Sequence, residues 1–528
     1  MEKIGGNTNN NSTMVVVMGI TVVLGLFVVA FIVKLINALV LKPRWQERWL
    51  RKQGIDGTTY QLWGGERDKL DQLKINGISS MPKTPTHDIL SLSNPIESHL
   101  MKIYGKMFFY WTGTVPRIVL LEPKLIRELL TNKKGEFRQL EVNGFTRLFV
   151  TGVSTLNGDK WVMHRKLLSP AFHMTKLQGM VPSILKCTQG MISTWMGILG
   201  AKDSCEIDVF SEFQKLTADI ISNVAFGSNY EEGSNVFQLM NEQSKLLSKV
   251  YYMAAFPFLR HLPTKTNARM KHINKEVTIA LKGIIQKRHR VMKKDGIVKD
   301  DLLGLMLQSN LNSQLEGKGM TLQELIEECK LFYFAGHETT ANLLTWAIVA
   351  LSMHQDWQEK AREEVFRLLG REQTPSFDDL SNLKTVTMIL QETLRLYPPS
   401  NIFRTTGQKG AKLGDKQLPG GAHVFVPTPC LHRDEQVWGK DVLEFNPSRF
   451  YEGVSKTSDN DPSPYFPFGW GPRVCIGQKL SMIEAKMALS MLLQRFSFEL
   501  SPSYNHMPCV MMTLQPLRGA QVIIRKLA

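Results

Sequence analysis

Apolar positions recur along this chain with several different periods, and each period predicts a different element. Residues 14–33 form an uncharged run of about twenty residues, long enough to cross the hydrocarbon core of a bilayer as a helix. The run exceeds a signal-peptide core and no small-x-small cleavage site follows it, so it reads as a retained anchor. Residues 53–60, Gln-Gly-Ile-Asp-Gly-Thr-Thr-Tyr, have no period and read as a flexible linker. Residues 108–112 and 117–121 read as two short strands about a turn at 113–116. Glu122-Pro123 then opens a helix, with proline at or near its first position. Ile273, Val277, Leu281, Ile284 and Ile285 keep helical spacing. Thr321-Leu322-Gln323-Glu324 has the form of a capping box, and the pattern behind it runs to about Met353, a helix on the order of 45 Å long. A helix carrying Glu392 and Arg395 ends at Pro398-Pro399. Leu480, Ile483, Met487, Ala488, Met491 and Leu492 predict a last helix that begins just after Cys475. The reading is mainly α, with small β-sheets, behind one N-terminal transmembrane helix.

Charge adds a topology. The net charge is +16, which suits nucleic acid, an anionic membrane surface or an acidic protein partner. The basic residues are interspersed with apolar ones, and the densest run, 287–294, trails an amphipathic pattern. It therefore reads as a solvated helix face, and no nucleic-acid partner is expected. Lys34, Lys42, Arg44, Arg48, Arg51 and Lys52 crowd the C-terminal side of the apolar run, against Lys3 and Glu2 ahead of it. The positive-inside rule places the amino terminus in a lumen and the rest in the cytosol. The expected division is a lumenal tail at 1–13, an anchor at 14–33, a basic linker at 34–70 and one large domain at 71–528. Six scattered cysteines with no C-x-x-C pair argue against a disulfide framework and a structural zinc site.

One of those cysteines carries the chemistry. Cys475 sits among Gly469, Gly471 and Gly477, two residues after Arg473 and just ahead of a helix N-terminus. Glycines allow a tight turn and a close approach to a flat partner. The positive helix end and Arg473 favour a thiolate. A thiolate pressed against a planar surface is what an axial haem ligand requires. In the middle of the long helix, Ala335-Gly336-His337-Glu338-Thr339-Thr340 breaks the apolar pattern. Glycine costs ~1 kcal/mol relative to alanine there, and a buried carboxylate costs more unless paired. A backbone opened at Gly336 beside these groups is suited to hold water and relay protons.

The loop Phe468-x-x-Gly471-x-Arg473-x-Cys475-x-Gly477 resembles the haem-binding loop of the cytochrome P450 family at every fixed position. Residues 335–340 resemble that family's oxygen-activation signature. The resemblance covers nearly the whole chain, and residues 334–340 with Trp470-Gly471-Pro472-Arg473 look most like the plant microsomal clan numbered seventy-two. It implies the P450 fold and a haem-thiolate monooxygenase domain carrying haem b. It also implies an endoplasmic reticulum membrane, O2, a small hydrophobic substrate (terpenoid, steroid-like hormone or fatty acid) and NADPH-cytochrome P450 reductase as electron donor. Cys475 would ligate the iron, with Phe468 and Gly477 completing the loop, and Glu338 and Thr339 would deliver protons. Trp161, Arg165, Arg404 and Arg473 would hold the haem propionates. Glu392, Arg395 and Arg449 would form a buried cluster behind the loop. Family members usually carry consecutive prolines where this chain has Thr58-Thr59, which leaves the rigidity of the hinge open. The aromatic run at 251–259 falls where the family often makes a second membrane contact. Substrate-lining residues are expected at 141–155, 331–335, 400–403 and 511–513. A reductase dock is expected around Arg165, Lys166 and Lys479.

Overall fold

The computed structural model describes residues 8–62, 72, 73, 75, 77, 84–132, 135–140, 144, 146–227, 230–250, 264–295, 301–315, 319–456 and 464–527. The aromatic run at 251–259, part of the loop at 141–155 and the second half of the segment 34–70 fall wholly or partly outside these residues.

The N-terminal helix α1 spans Thr8–Ile36, longer at both ends than the apolar run. Its apolar side chains from Val16 to Ile36 are exposed. Among the described residues it begins the one helix long and apolar enough to cross a membrane. Helical backbone continues through a π turn at Asn37–Leu41 into α2, Lys42–Lys52. The stretch at 53–60, expected to be a flexible linker, is instead tied down. Strand β1, Asp56–Gly57, pairs in parallel with β2, Met107–Thr112. A side chain at Gly57 would stand 2.1 Å from the Phe109 carbonyl oxygen, so glycine permits this pairing. Trp111 Nε1 donates to the Thr58 carbonyl at 3.1 Å, and the Tyr60 amide donates to Glu47 Oε2 at 3.1 Å. Strand pairing and side-chain bonds restrict here what prolines restrict elsewhere.

A six-stranded sheet runs in the order β1, β2, β3 (Val115–Leu120), β9 (His423–Val426), β6 (Ile402–Thr406) and β4 (Phe137–Arg138), while β5 (Ser204–Asp208) belongs to a separate three-stranded sheet. The hairpin between β2 and β3 is tighter than its sequence suggested. Gly113, at φ +61°, allows a two-residue turn, and Pro116 lies within β3 opposite Trp111. Phe108, Phe109, Ile118, Val119 and Val424 form the centre of a core around this sheet.

A larger helical core holds the site. Its elements are α3 (Gly158–Leu168), α4 (Met174–Leu199), α5 (Val209–Phe226), α6 (Leu322–Met353), α7 (Lys384–Leu396) and α8 (Gln478–Arg495). The capping box at Thr321 and Glu324 is present in full, and α6 ends at Met353. The backbone of α6 is α-helical throughout, so the opening expected at Gly336 is not there. A Cβ at Gly336 would sit 2.7 Å from Ile221 Cδ1 on α5. The glycine lets two helices approach closely rather than freeing a carbonyl. In the helix Lys265–Asp295, Ile273, Val277, Leu281 and Ile285 are buried as their spacing predicts. Arg288, expected on a solvated face, is buried and pairs with Asp301 at 2.9 Å.

Candidate active site

Cys475 hangs from a loop whose backbone bonds to itself. The Gly469 amide donates to Phe466 O at 3.0 Å, Val474 N to Gly471 O at 3.1 Å and Cys475 N to Phe468 O at 2.9 Å. Gly469 and Gly471 adopt φ of +71° and +70°, where L side chains are strained. At Gly471 a Cβ would also meet the Leu130 carbonyl at 2.6 Å. Gly477 is the N-cap of α8, and a Cβ there would come 3.9 Å from the Cys475 sulfur. The side chain of Cys475 is exposed, yet burial pushes its thiol pKa up. Backbone amides of Gly477 and Gln478 and the charge of Arg165 oppose that rise without reversing it. The expectation that Arg473 would stabilise a thiolate is corrected here: the neighbouring cation is Arg165. Cys475 would hold a bound cation as its thiolate.

Arg473 is turned the other way. Its Nη2 donates to the Leu156 carbonyl at 2.8 Å, its guanidinium lies 4.4 Å above the Trp161 ring, and its buried Nη1 has no hydrogen-bond partner. Trp161 and Arg165 share α3, as their spacing predicts, but the cation stacked on the indole is Arg473. Arg404, in β6, bonds to Gln139 Oε1 at 3.2 Å and to the Phe403 carbonyl at 2.8 Å. Burial lowers Arg404 and Arg473 to about 10, reinforced at Arg404 by repulsion from Arg473 and at Arg473 by repulsion from Arg165. Burial lowers Arg165 as well, against the opposing influence of Cys475. Among the described residues no carboxylate pairs with any of the three. Such a cluster calls for an anionic partner.

On α6, Glu338 and Thr339 diverge. Glu338 is buried and accepts from Thr513 Oγ1 at 2.9 Å, while Asn342 Nδ2 donates to the same hydroxyl at 3.0 Å. Burial raises the pKa of Glu338, and the hydrogen bonds from Thr513, Asn342 and Gln214 oppose that. Thr339 is only partly buried, and its hydroxyl donates to the Ala335 carbonyl at 2.7 Å. The neighbouring Thr340 bonds Ser481 of α8 at 3.0 Å. The two groups expected to act together thus have separate partners. Leu331, Phe332 and Tyr333 pack into the core, which leaves Phe334 and Ala335 as the half-buried part of the stretch expected to line a pocket. Phe334 meets Phe149 edge-on at 4.7 Å.

Behind the loop, Glu392 and Arg395 are fully buried and joined by two bonds of 2.7 Å. Arg449 Nε stands 3.6 Å from Glu392 Oε1. Arg395 also donates to the carbonyls of His432, Val442 and Glu444 at 2.8–3.0 Å. His432 was not singled out by its sequence context, yet it connects this cluster to the loop. Its Nδ1 meets the Arg395 carbonyl at 3.2 Å and its Nε2 accepts from the Phe466 amide at 3.2 Å. Burial, followed by repulsion from Arg395, lowers its pKa to about 3, which keeps the ring neutral for both roles.

Also unforeseen is the attachment of α3 to α6. Buried His164 meets buried Glu328 at 2.6 Å, and Lys160 meets Glu324 at 2.5 Å. Residues four apart on one helix facing carboxylates four apart on another is a pattern visible in sequence only once the helices are known to be neighbours. Of the surface expected for a protein partner, Lys166 and Lys479 are exposed, whereas Arg165 turns inward.

The cytochrome P450 family model matches residues 91–522. Cytochrome P450 CYP72A616 of Paris polyphylla is 45% identical over 490 residues, covering 92% of this chain and 94% of that relative. The 11-oxo-beta-amyrin 30-oxidase of Glycyrrhiza uralensis is 43% identical over 506 residues, covering 93% and 95%. Secologanin synthase 1 of Catharanthus roseus is 43% identical over 491 residues, covering 92% and 93%. With a thiol on a glycine-bent loop and a match of this extent, the chain belongs to the cytochrome P450 family, and it resembles that family's plant members numbered seventy-two.

Proposed function

We propose that this P450 enzyme is a haem-thiolate monooxygenase. It hydroxylates a hydrophobic small molecule with O2 and electrons from NADPH, delivered by a separate NADPH-cytochrome P450 reductase. The observation that carries the reading is Cys475, exposed on a glycine-bent loop just ahead of the N-terminus of α8. The residues fit an iron porphyrin, for which we take haem b. Arg165, Arg404 and Arg473 are buried or half-buried cations with no carboxylate partner among the described residues. The unpartnered Arg473 Nη1 offers a donor that a propionate would satisfy. In this reading those arginines and Trp161 hold the propionates, Cys475 ligates iron, and Phe468 and Gly477 shape the loop around the sulfur.

When bound, haem supplies oxygen binding and the redox change. The chain supplies the rest. Glu338, whose pKa burial raises, is the carboxyl placed to exchange a proton, and Thr513, itself held by Asn342, fixes its orientation. Thr339 Oγ1, anchored by its bond to Ala335 O, keeps its lone pairs for a water. Apolar side chains, Phe149 and Phe334 among them, exclude bulk water and orient the substrate. The names of the relatives, one an oxidase of 11-oxo-beta-amyrin, favour a terpenoid over a fatty acid. Exposed apolar α1 and the basic residues after it support single-pass insertion in the endoplasmic reticulum membrane, with the catalytic domain cytosolic.

Microsomes containing the full chain, its reductase and candidate terpenoids test the proposal. Product formation that requires both NADPH and O2 is the expected outcome. Cys475→Ser should also lose the red-shifted Soret band of the reduced carbon monoxide complex, since a hydroxyl is a poorer and normally protonated ligand. An unchanged spectrum in that variant refutes the ligand assignment.

A further inference from the structure

A cleft of about 540 Å³ lies away from the cysteine loop, between α2 and the hairpin of β7 (Ala411–Leu413) and β8 (Lys416–Leu418). Lys42, Trp45, Gln46 and Trp49 form one wall, and Lys409 and Gly420 belong to the other. The walls are bonded together, by Trp49 Nε1 to the Gln417 carbonyl at 2.7 Å and Gln46 Nε2 to the Gly420 carbonyl at 3.0 Å. The cleft is therefore built into the fold. The Trp45 and Trp49 rings lie 5.3 Å apart, with Trp45 half exposed. Lys42 and Lys409 are exposed, and among the described residues neither makes an ion pair. The nearby carboxylates are engaged, Glu47 by Arg51 and the Tyr60 amide, Asp415 by Lys416.

The position of the cleft along the anchor selects its occupant. Residues 14–41 are about 28 residues of mostly apolar, continuous helix, or ~42 Å at ~1.5 Å per residue. A bilayer with its headgroup layers is ~40–45 Å thick, so Lys42 begins the protein at headgroup level. Tryptophan pairs favour that level, and lysines there attract anionic lipid. We propose that this cleft binds the phosphate headgroup of one anionic glycerophospholipid, drawn from the leaflet where α1 emerges. Lys42 and Lys409 face the phosphodiester, and Trp45 and Trp49 pack along the glycerol. A choline headgroup is disfavoured, because its fixed positive charge meets the two lysines. The proposal rests on α1 spanning the membrane.

The test uses the full-length, haem-loaded protein in nanodiscs of phosphatidylcholine doped with phosphatidylglycerol. Lipid retained after detergent extraction is quantified per chain. We expect phosphatidylglycerol to be retained in preference to phosphatidylcholine. Lys42→Gln and Lys409→Gln should each lower that preference about five-fold, with the carbon monoxide difference spectrum unchanged. Lys293→Gln with Lys294→Gln, on an exposed basic run elsewhere, should leave it intact. Equal retention by the cleft variants, or a preference for phosphatidylcholine, overturns the proposal. Displacement of the lipid by millimolar glycerophosphoglycerol also overturns it, since the site would then serve a soluble anion. Failure of the full chain to enter nanodiscs, matching a variant lacking residues 1–36, defeats instead the reading of α1 as an anchor.

Discussion

Thr339 and Glu484 show how one side chain's partners decide what its loss does. Thr339 makes one bond, inside its own helix, so Thr339→Ala should cost little stability. If its remaining lone pairs order a proton-donating water, NADPH consumption should continue while product falls and hydrogen peroxide rises. Losing a positioned proton-transfer group costs ~10²–10⁴-fold in its step, less where water substitutes. Measuring product, peroxide and NADPH together decides this, and unaltered coupling removes Thr339 from the mechanism. Glu484 on α8 is fully buried, with Oε2 lacking any hydrogen-bond partner. Burial raises its pKa from 4.5 to about 8. The folded state thus binds this proton more tightly than the unfolded chain. Its contribution is fully present below pH 4.5 and is lost as pH rises through about 8. Glu484→Gln removes that slope. Thermal unfolding between pH 5 and 9 should show the variant gaining on the wild type as pH rises, and parallel profiles would contradict the assignment.

Between elements, the contact of α5 with α6 sets the site's geometry. Thr217 of α5 donates to the His337 carbonyl at 3.0 Å, and Gly336 admits Ile221 where a Cβ would stand 2.7 Å from it. Gly336→Ala is favourable for an isolated helix by ~1 kcal/mol, but overpacking here costs ~1–3 kcal/mol. The expected net result is a lower unfolding midpoint. Ile221→Val removes the Cδ1 atom that alanine meets, so the double variant should recover part of the loss. A double-mutant cycle by thermal denaturation measures that coupling, and additive effects would show that the two residues do not meet.

Across the whole molecule, support for Cys475 runs through residues distant in sequence. Glu392 holds Arg395, the Arg395 carbonyl meets His432, His432 accepts from the Phe466 amide, and Phe466 O receives the Gly469 amide. Glu392→Gln keeps an acceptor for the Asn446 amide but leaves the buried charge of Arg395 uncompensated, at ~3–5 kcal/mol. The expected result is protein with reduced haem content, while the fraction that retains haem keeps its carbon monoxide spectrum. Replacing Arg395 by methionine as well should not rescue it, because two buried carbonyls and a half-buried one would lose their donor. Full haem occupancy in Glu392→Gln would show that the loop stands without this brace.

The sequence by itself determined the pieces whose signals are local. A capping box predicts the start of α6, an uncharged run predicts α1, and a cysteine among glycines predicts a tight loop ahead of α8, because each depends on residues within a few positions of one another. The Glu392–Arg395 pair was legible for the same reason, as an i, i+3 neighbour on one helix. Only the tertiary structure decided what required distant partners. It turned Arg473 onto Trp161 and brought Arg165 toward Cys475. It spent Gly336 on helix packing rather than on a water, bonded the stretch at 53–60 into a sheet edge, and recruited His432 and the His164–Glu328 pair. Burial and the identity of a neighbour across the fold set those outcomes, and neither quantity is written in the spacing of residues along one segment.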